Sequence, residues 1–135
     1  MRFCYENKKD LETIRIHDHI FYGFDYLYSL KQIKFYCNDY LFIFNNVIFF
    51  NAQTCFLWGP GPNILWLTVE EESSYMNEIN KLKNENHPTP DTPLGKNISY
   101  IQINFKLNSG DDIFIICESV DLKTNNNNTG DGSLS

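Results

Sequence analysis

The strongest constraint on the fold is a strict alternation of apolar and polar residues in the last third of the chain. Ile101, Ile103, Phe105 and Leu107 alternate with Gln, Asn and Lys, which places the apolar side chains on one face of a strand. The turn residues Asn-Ser-Gly-Asp follow at 108–111, and an apolar run returns at 113–122. This pattern predicts an antiparallel hairpin.

Two further regions carry strand patterns. Between residues 20 and 30, one face collects Ile20, Tyr22, Phe24, Tyr26, Tyr28 and Leu30, and a shorter strand is predicted before it at 13–17. Residues 41–44 and 47–50 are apolar without alternation and are separated by Asn45-Asn46. Such a run is typical of a central strand covered on both faces, or of a strand bulged at the Asn pair.

One helix is predicted at about 69–84. Thr68 and Glu71 have the spacing of a capping box, and acidic residues occupy the predicted first turn. An apolar stripe is formed by Tyr75 or Met76, with Ile79 and Leu82. Helices do not alternate with strands, so a parallel βαβ architecture is disfavoured. We expect a mainly β fold, an antiparallel sandwich or open barrel with this helix packed on it.

The length of 135 residues fits a single domain, which we place at 1–122. Residues 123–135 are rich in Asn, Gly and Ser and have little to bury, so a disordered polar tail is expected there.

The charge balance restricts the partners. With 17 acidic and 11 basic side chains the net charge is −6, which disfavours nucleic acid and anionic membrane surfaces and favours a basic protein. The apolar run at 41–50 is too short to span a bilayer, and residues 1–10 turn polar before a secretory signal could form. Four scattered cysteines without a C-x-x-C pair suggest reduced thiols. We expect a cytoplasmic protein, and the oligomeric state is left open.

Residues that could perform catalysis are few. His17 and His19 are two apart, so in a strand they would point the same way and could share a metal ion, with His87 or a carboxylate as third ligand. The alternative is two polar residues entering a strand. No Cys–His or Ser–His arrangement is marked by local sequence. Glu118 interrupts an apolar strand and is expected to face water; the alternative is that it faces the core and needs a partner there. We therefore expect no enzymatic activity and no cofactor.

The candidate binding residues are aromatic. Trp58 and Trp66 flank a rigid loop that includes Gly59 and Pro60, and indoles in such a place anchor partners or stack on sugars. Alternatively, both indoles pack beneath the loop. Tyr26 and Tyr28 could provide further stacking faces.

The strings Phe-Asn-Asn-Val-Ile-Phe-Phe at 44–50 and Phe-Leu-Trp-Gly-Pro at 56–60 resemble short bacterial all-β proteins, some of which are encoded as immunity partners of polymorphic toxins. The resemblance covers roughly residues 41–66, and the terminal hairpin in general character, and it brings no catalytic residues with it. The acidic charge, the lack of a catalytic arrangement and the pair Trp58 and Trp66 favour a non-enzymatic protein-binding domain, and the resemblance implies an immunity-type inhibitor of a basic partner as one form. A small-ligand or carbohydrate-binding module, a metal-dependent enzyme centred on His17 and His19, and a structural subunit of a phage or secretion assembly are the alternatives.

Overall fold

The computed structural model describes residues 1–52, 63–71, 73–84 and 98–124. Within them lie nine strands, one α-helix and two 3₁₀ segments. The strands are β1 (Arg2–Phe3), β2 (Phe21–Leu27), β3 (Gln32–Cys37), β4 (Tyr40–Asn45), β5 (Phe49–Ala52), β6 (Ile64–Glu70), β7 (Ile101–Leu107), β8 (Asp112–Cys117) and β9 (Ser119–Thr124). The helix α1 spans Ser74–Asn84, and the 3₁₀ segments span Tyr5–Thr13 and Tyr28–Leu30.

The strands form two antiparallel sheets, which confirms the predicted mainly β sandwich. Sheet I has the order β1-β9-β4-β3-β2, and sheet II has the order β5-β8-β7-β6. The predicted C-terminal hairpin is present as β7 and β8, with Ile103 opposite Ile115 in the register.

One long antiparallel pair contributes to both sheets. β4 pairs with β9 in sheet I, and the same two chain segments continue as β5 and β8 in sheet II. At the crossing, the Glu118 N–H donates to the Asn45 carbonyl at 3.1 Å and the Ile48 N–H donates to the Ile116 carbonyl at 2.9 Å. Irregular residues at this crossing let the pair bend, as strands do when they turn the corner of a sandwich.

The main core fills the space between the sheets and combines aliphatic side chains with a cluster of phenylalanine rings. Phe35 of β3 stacks on Phe105 of β7 with ring centroids 4.1 Å apart, and Phe42 and Phe44 of β4 meet Phe105 edge-on. A second, smaller cluster lies on the outer face of sheet II. There Met76 and Ile79 of α1 are buried with Tyr100 and Ile116. The helix therefore covers part of sheet II, as predicted.

The helix begins later than the sequence predicts. Val69 and Glu70 belong to β6, where they pair with Ile103 and Gln102 of β7, so Thr68 cannot cap a helix. The cap is Ser73, whose hydroxyl oxygen accepts the Met76 N–H at 3.0 Å.

Two other predicted segments differ from the structure. The strand predicted at 13–17 is wrong, because Thr13 ends the first 3₁₀ segment and Asp18 adopts a left-handed φ of 67°. The strand at 20–30 is shorter, and a bulge between Phe21 and Gly23 breaks its predicted apolar face. At the other end of the chain, β9 continues through Lys123 and Thr124, two residues past the predicted domain boundary. Residues 125–135 lie outside the described part.

Candidate functional site

Four neighbouring apolar side chains are exposed where β2 meets the second 3₁₀ segment. Tyr28 is 82% exposed, Leu30 is 66% exposed, and Tyr26 and Leu27 are also exposed. We call these four residues the tyrosine tip. The rings of Tyr26 and Tyr28 are 5.9 Å apart, so the structure brings these two predicted binding residues together. Exposed rings held side by side offer a rigid contact surface.

Aromatic side chains at the edge of the core pack against the tyrosine tip. The ring of Phe50 on β5 meets Tyr26 edge-on at 5.6 Å and Phe24 edge-on at 4.9 Å. The turn behind the tip closes when the Lys31 N–H donates to the Tyr28 carbonyl at 3.1 Å, with Lys31 in the left-handed region at a φ of 50°. The tip is therefore a turn anchored at one end to half-buried rings.

β2 lies at the edge of sheet I beside this tip. Among the described residues, its ladder of strand hydrogen bonds joins β3 alone, and one isolated bridge connects Ile20 to Asn63 just before the strand. Asp25 is the only charged residue of β2. Its carboxylate accepts a hydrogen bond from the Tyr36 hydroxyl at 2.7 Å, which raises the pKa of that tyrosine.

β6, an edge strand of sheet II, is contacted by residues of the segment 9–19. The Val69 N–H donates to the Glu12 carboxylate at 2.7 Å, and the Val69 carbonyl accepts from the Lys9 ammonium at 3.3 Å. Farther along, the Ile64 carbonyl accepts the Asp18 N–H at 2.8 Å. Side chains and a loop thus bond to this edge strand at Val69 and at Ile64, near its two ends, and covering an edge is a common way to protect one.

Trp66 lies on β6, on sheet II, and no ring contact joins it to the tyrosine tip among the described residues. It is 53% exposed. Together with Glu12, Arg15 and His17 it lines a cleft of about 350 Å³ between β6 and the N-terminal segment. Trp58, Gly59 and Pro60, the other predicted binding residues, lie outside the described part of the chain.

The two histidines have separate partners. His17 places its Nδ1 2.7 Å from the Leu65 carbonyl, and because a carbonyl only accepts, Nδ1 carries the proton. His19 stacks on the ring of Tyr40 at 5.5 Å, and its Nε2 is 3.6 Å from the Asp39 carboxylate. Within the described residues, no group of three or more His, Cys, Asp and Glu side chains is arranged to hold a metal ion. His87 lies outside that part.

Two of the cysteines are buried thiols. Burial raises the pKa of Cys37 to about 12 and also raises the pKa of Cys117. A thiol with a raised pKa is a poor nucleophile at neutral pH, because only the thiolate reacts. Cys4 is half-buried, and Cys55 lies outside the described residues.

A wider groove of about 900 Å³ lies between the first 3₁₀ segment and the end of β9. Its walls include the cations Arg15 and Lys123 and the carboxylate of Asp10. The mixed signs of these charges select no single class of ligand.

Sequence reasoning missed Leu27 and Leu30 as members of the tyrosine tip, and Glu12 and Arg15 as members of the cleft at Trp66. Arg15 carries no pattern that sets it apart, whereas the succession Leu27-Tyr28-Ser29-Leu30 does contain a signal. Large apolar side chains at a turn have little to pack against, so an exposed patch could have been expected there.

None of the helices in the described part of the chain is long and apolar enough to cross a membrane. Comparison with models of protein families, with curated proteins and with solved structures finds no match to this chain.

Proposed function

We propose that the chain is a protein-binding domain whose partner is a basic protein, bound at the tyrosine tip. The observation that carries the proposal is the exposure of Tyr28 and Leu30, 82% and 66%, next to the exposed Tyr26. Tyrosine is enriched among residues that dominate binding energy, and ordering its side chain on binding costs little entropy. A contiguous apolar patch on a small protein marks an interaction surface.

The partner's charge follows from electrostatics. The chain carries a net charge of −6. Near the tip, Asp25 of β2 is an acid, whereas Lys31, which closes the turn, and Lys34, which is opposite Asp25, are cations, so the preference for a positive partner rests on the net charge. A positive partner is attracted by this field, which raises the association rate and makes binding sensitive to salt. The sequence resemblance to immunity proteins supports one form of the proposal, in which the partner is a basic toxin.

Affinity capture with matched variants tests the proposal. The wild type, the tip variant Tyr28→Ser/Leu30→Ser, and the control Tyr5→Ser are immobilised and exposed to host extract at two salt concentrations. Tyr5 is exposed but lies on the N-terminal segment, away from β2. We expect a basic protein on the wild type and the control, with at least about tenfold less on the tip variant, since each hot-spot side chain contributes more than about 1 kcal/mol. Equal capture by the tip variant, or an acidic partner, contradicts the proposal.

The cleft at Trp66 favours a second candidate, a small-ligand or carbohydrate-binding module. An exposed indole beside Arg15 and Glu12 combines a stacking face with hydrogen-bonding groups, as sugar sites do. A glycan panel read by tryptophan fluorescence tests it, with Trp66→Phe as the control that leaves Trp58 as the only indole. A response in the wild type that is lost in Trp66→Phe supports this function, and a flat response across the panel removes it.

A further inference from the structure

We propose that the basic partner binds by adding an extended strand, antiparallel, to the outer edge of β2, with a lysine or arginine opposite Asp25. The inference rests on the proposed function and specifies how the same surface is used. It follows from three features of β2: the direction of its backbone groups, the position of Asp25, and the contrast with the protected edge of β6.

The backbone direction follows from the alternation of an antiparallel sheet, in which successive residues turn their N–H and C=O groups to opposite sides. The Lys31 carbonyl accepts the Val47 N–H at 2.8 Å, so it faces the β4 side of β3. Residues 33, 35 and 37 face the same side, and Lys34 and Tyr36 therefore face β2. Asp25 and Gly23, their register partners, form the hydrogen-bonded pairs between the two strands.

Phe24 and Tyr26, which alternate with these residues, turn their N–H and C=O groups away from β3. Each could exchange two hydrogen bonds with a residue directly opposite in an added strand. Among the described residues, no strand pairs with this side of β2. An edge of this kind is a template for another strand, and peptide recognition by strand addition uses it.

The side chains of β2 set the preferred sequence of the added strand. The rings of Phe24 and Tyr26 both meet Phe50, on the core side of sheet I. Residues opposite them in the added strand point to the same side and should be apolar. The residue between these two points to the outer face beside Asp25, where a cation is attracted and an acid is repelled.

The charge of Asp25 also argues against a second copy of the chain as the added strand. Two β2 strands can pair in a symmetric register that aligns Asp25 of one copy with Asp25 of the other. That register places two carboxylates directly opposite each other, which destabilises a strand pair. A basic partner that places a cation opposite Asp25 gains an attractive charge pair instead. The net charge of −6 attracts such a partner further at long range.

The difference between the two long edge strands supports the assignment. β2 and β6 both contain seven residues, and both lie at an edge. In β6 the outer backbone groups of Val69 and the carbonyl of Ile64 are bonded to Glu12, Lys9 and Asp18. β2 is followed directly by Tyr28, the most exposed tyrosine of the described residues. The tyrosine tip and the outward backbone groups of Phe24 and Tyr26 therefore lie next to each other.

Amide hydrogen exchange on the free full-length chain tests whether the edge is available. We expect the amides of Phe24 and Tyr26 to exchange at least about tenfold faster than those of Asp25 and Leu27, which are bonded to β3, because local opening exposes unpaired amides first. Equal protection of all four amides in the free protein overturns the proposal, because it shows that another part of the chain already occupies this edge.

Capped peptides test the recognition itself. The probe Thr-Val-Lys-Val-Thr is titrated into the labelled protein and followed by amide chemical shifts. We expect shifts at Phe24 and Tyr26 and a dissociation constant on the order of 1 mM, the weak range for one short strand. Methylating both valine amides should abolish binding, whereas methylating the lysine amide, which faces away from β2, should leave it. No shift at Phe24 and Tyr26 at millimolar peptide overturns the proposal.

Charge reversal tests the role of Asp25. Replacing the lysine of the peptide by glutamate should weaken binding about fivefold, since a cross-strand pair is worth up to about 1 kcal/mol. In Asp25→Lys the preference should invert, and the glutamate peptide should bind more tightly. An unchanged preference in that variant overturns the assignment of the cation.

The two proposals fail separately. Suppose that the captured basic partner requires Tyr28 and Leu30 but leaves the exchange of the Phe24 and Tyr26 amides unchanged. Strand addition is then wrong and the proposed function stands. If the peptides bind in the predicted pattern and no basic protein is captured, the strand-binding edge is supported and the proposed function is not.

Discussion

The side-chain amide of Asn46 donates a hydrogen bond to the carboxylate of Glu118 at 3.1 Å, across the corner where the long strand pair passes from sheet I to sheet II. Asn46 has a left-handed backbone with a φ of 52°, which asparagine tolerates better than most residues. Glu118 is exposed, as the sequence predicted for an acid inside an apolar strand. Asn46 and Glu118 lie where the two chain segments of the pair leave regular strand geometry, between β4 and β5 and between β8 and β9.

Variants at Asn46 separate the backbone role from the hydrogen bond. Asn46→Ala forces a Cβ-bearing residue without a local hydrogen bond into the left-handed region, so we expect a loss of about 1–2 kcal/mol in the free energy of unfolding. Asn46→Gly also removes the amide but relieves the backbone, and it should lie within about 0.5 kcal/mol of wild type. Urea denaturation measures both. Equal losses in the two variants would show that the side-chain bond, not the backbone, stabilises the corner.

The helix cap provides a second prediction. Ser73 accepts the Met76 N–H and donates to the side-chain carbonyl of the buried Gln102, whose amide in turn donates to Asn104 at 2.9 Å. Ser73→Ala should therefore lower the free energy of unfolding by about 1–2 kcal/mol, because a cap and a partner of a buried amide are lost together. The control Ser74→Ala, at an exposed position of the first turn, should change it by less than about 0.5 kcal/mol. Equal effects of both substitutions would contradict this role of Ser73.

The β architecture could be predicted because its signal is local. The alternation of apolar and polar residues around Ile103 and Phe105 predicts a strand with one buried face. The Asn45-Asn46 pair indicates an irregularity within an apolar run. The start of the helix could not be predicted in the same way. Thr68 has the right spacing for a cap, but the ladder from β6 to β7 extends through Glu70, and a long-range pairing overrides a local preference.

The candidate site was predictable only in part. Tyr26 and Tyr28 were selected as aromatic residues of one predicted strand face, yet Tyr28 is exposed because the strand ends at Leu27 and a 3₁₀ turn follows. The availability of the β2 edge depends on which strands pair in sheet I, and no residue of β2 encodes that order by itself. Trp66 and Arg15 share a cleft only because the N-terminal segment folds back on β6.

The salt bridge between Arg2 and Asp121 predicts a dependence on pH. The Arg2 guanidinium donates two hydrogen bonds, 2.7 and 2.9 Å, and these hold the pKa of Asp121 below its usual value of 3.8. A lowered pKa in the folded state stabilises the protein above the unfolded value, and this stabilisation is lost as the pH falls through the folded value.

Asp121→Asn should therefore be less stable than wild type at pH 7 by a constant amount down to about pH 5, and the difference should shrink below about pH 4. Urea midpoints from pH 2.5 to 7 measure it. Arg2→Met removes the guanidinium of the same salt bridge, and it should flatten the same part of the profile of stability against pH. A stability difference that grows as the pH falls would show that the sign of the pKa shift is wrong.

The buried thiols predict selective chemical protection. With the pKa of Cys37 near 12 and that of Cys117 also raised by burial, both should resist alkylation in the native protein at pH 8. We expect iodoacetamide to modify each at least about a hundredfold more slowly than in urea, where thiols return to a pKa near 8.5. Mass spectrometry of the two peptides measures the rates. Rapid native modification of either cysteine would contradict its place in the core.

The stacked pair of Phe35 and Phe105 is the contact on which the joining of the two sheets depends. Phe105 is fully buried, and its ring also meets Phe42 and Phe44 of the opposite sheet, so truncation leaves a cavity bordered by three rings of sheet I. Phe105→Ala should lower the free energy of unfolding by about 3–5 kcal/mol. The matched control is Phe114→Ala. Phe114 is half-buried on the outer face of sheet II, and its truncation should cost clearly less, because the site can fill with water. Urea denaturation compares the two. A smaller loss in Phe105→Ala than in Phe114→Ala would mean that the sheets are held together elsewhere.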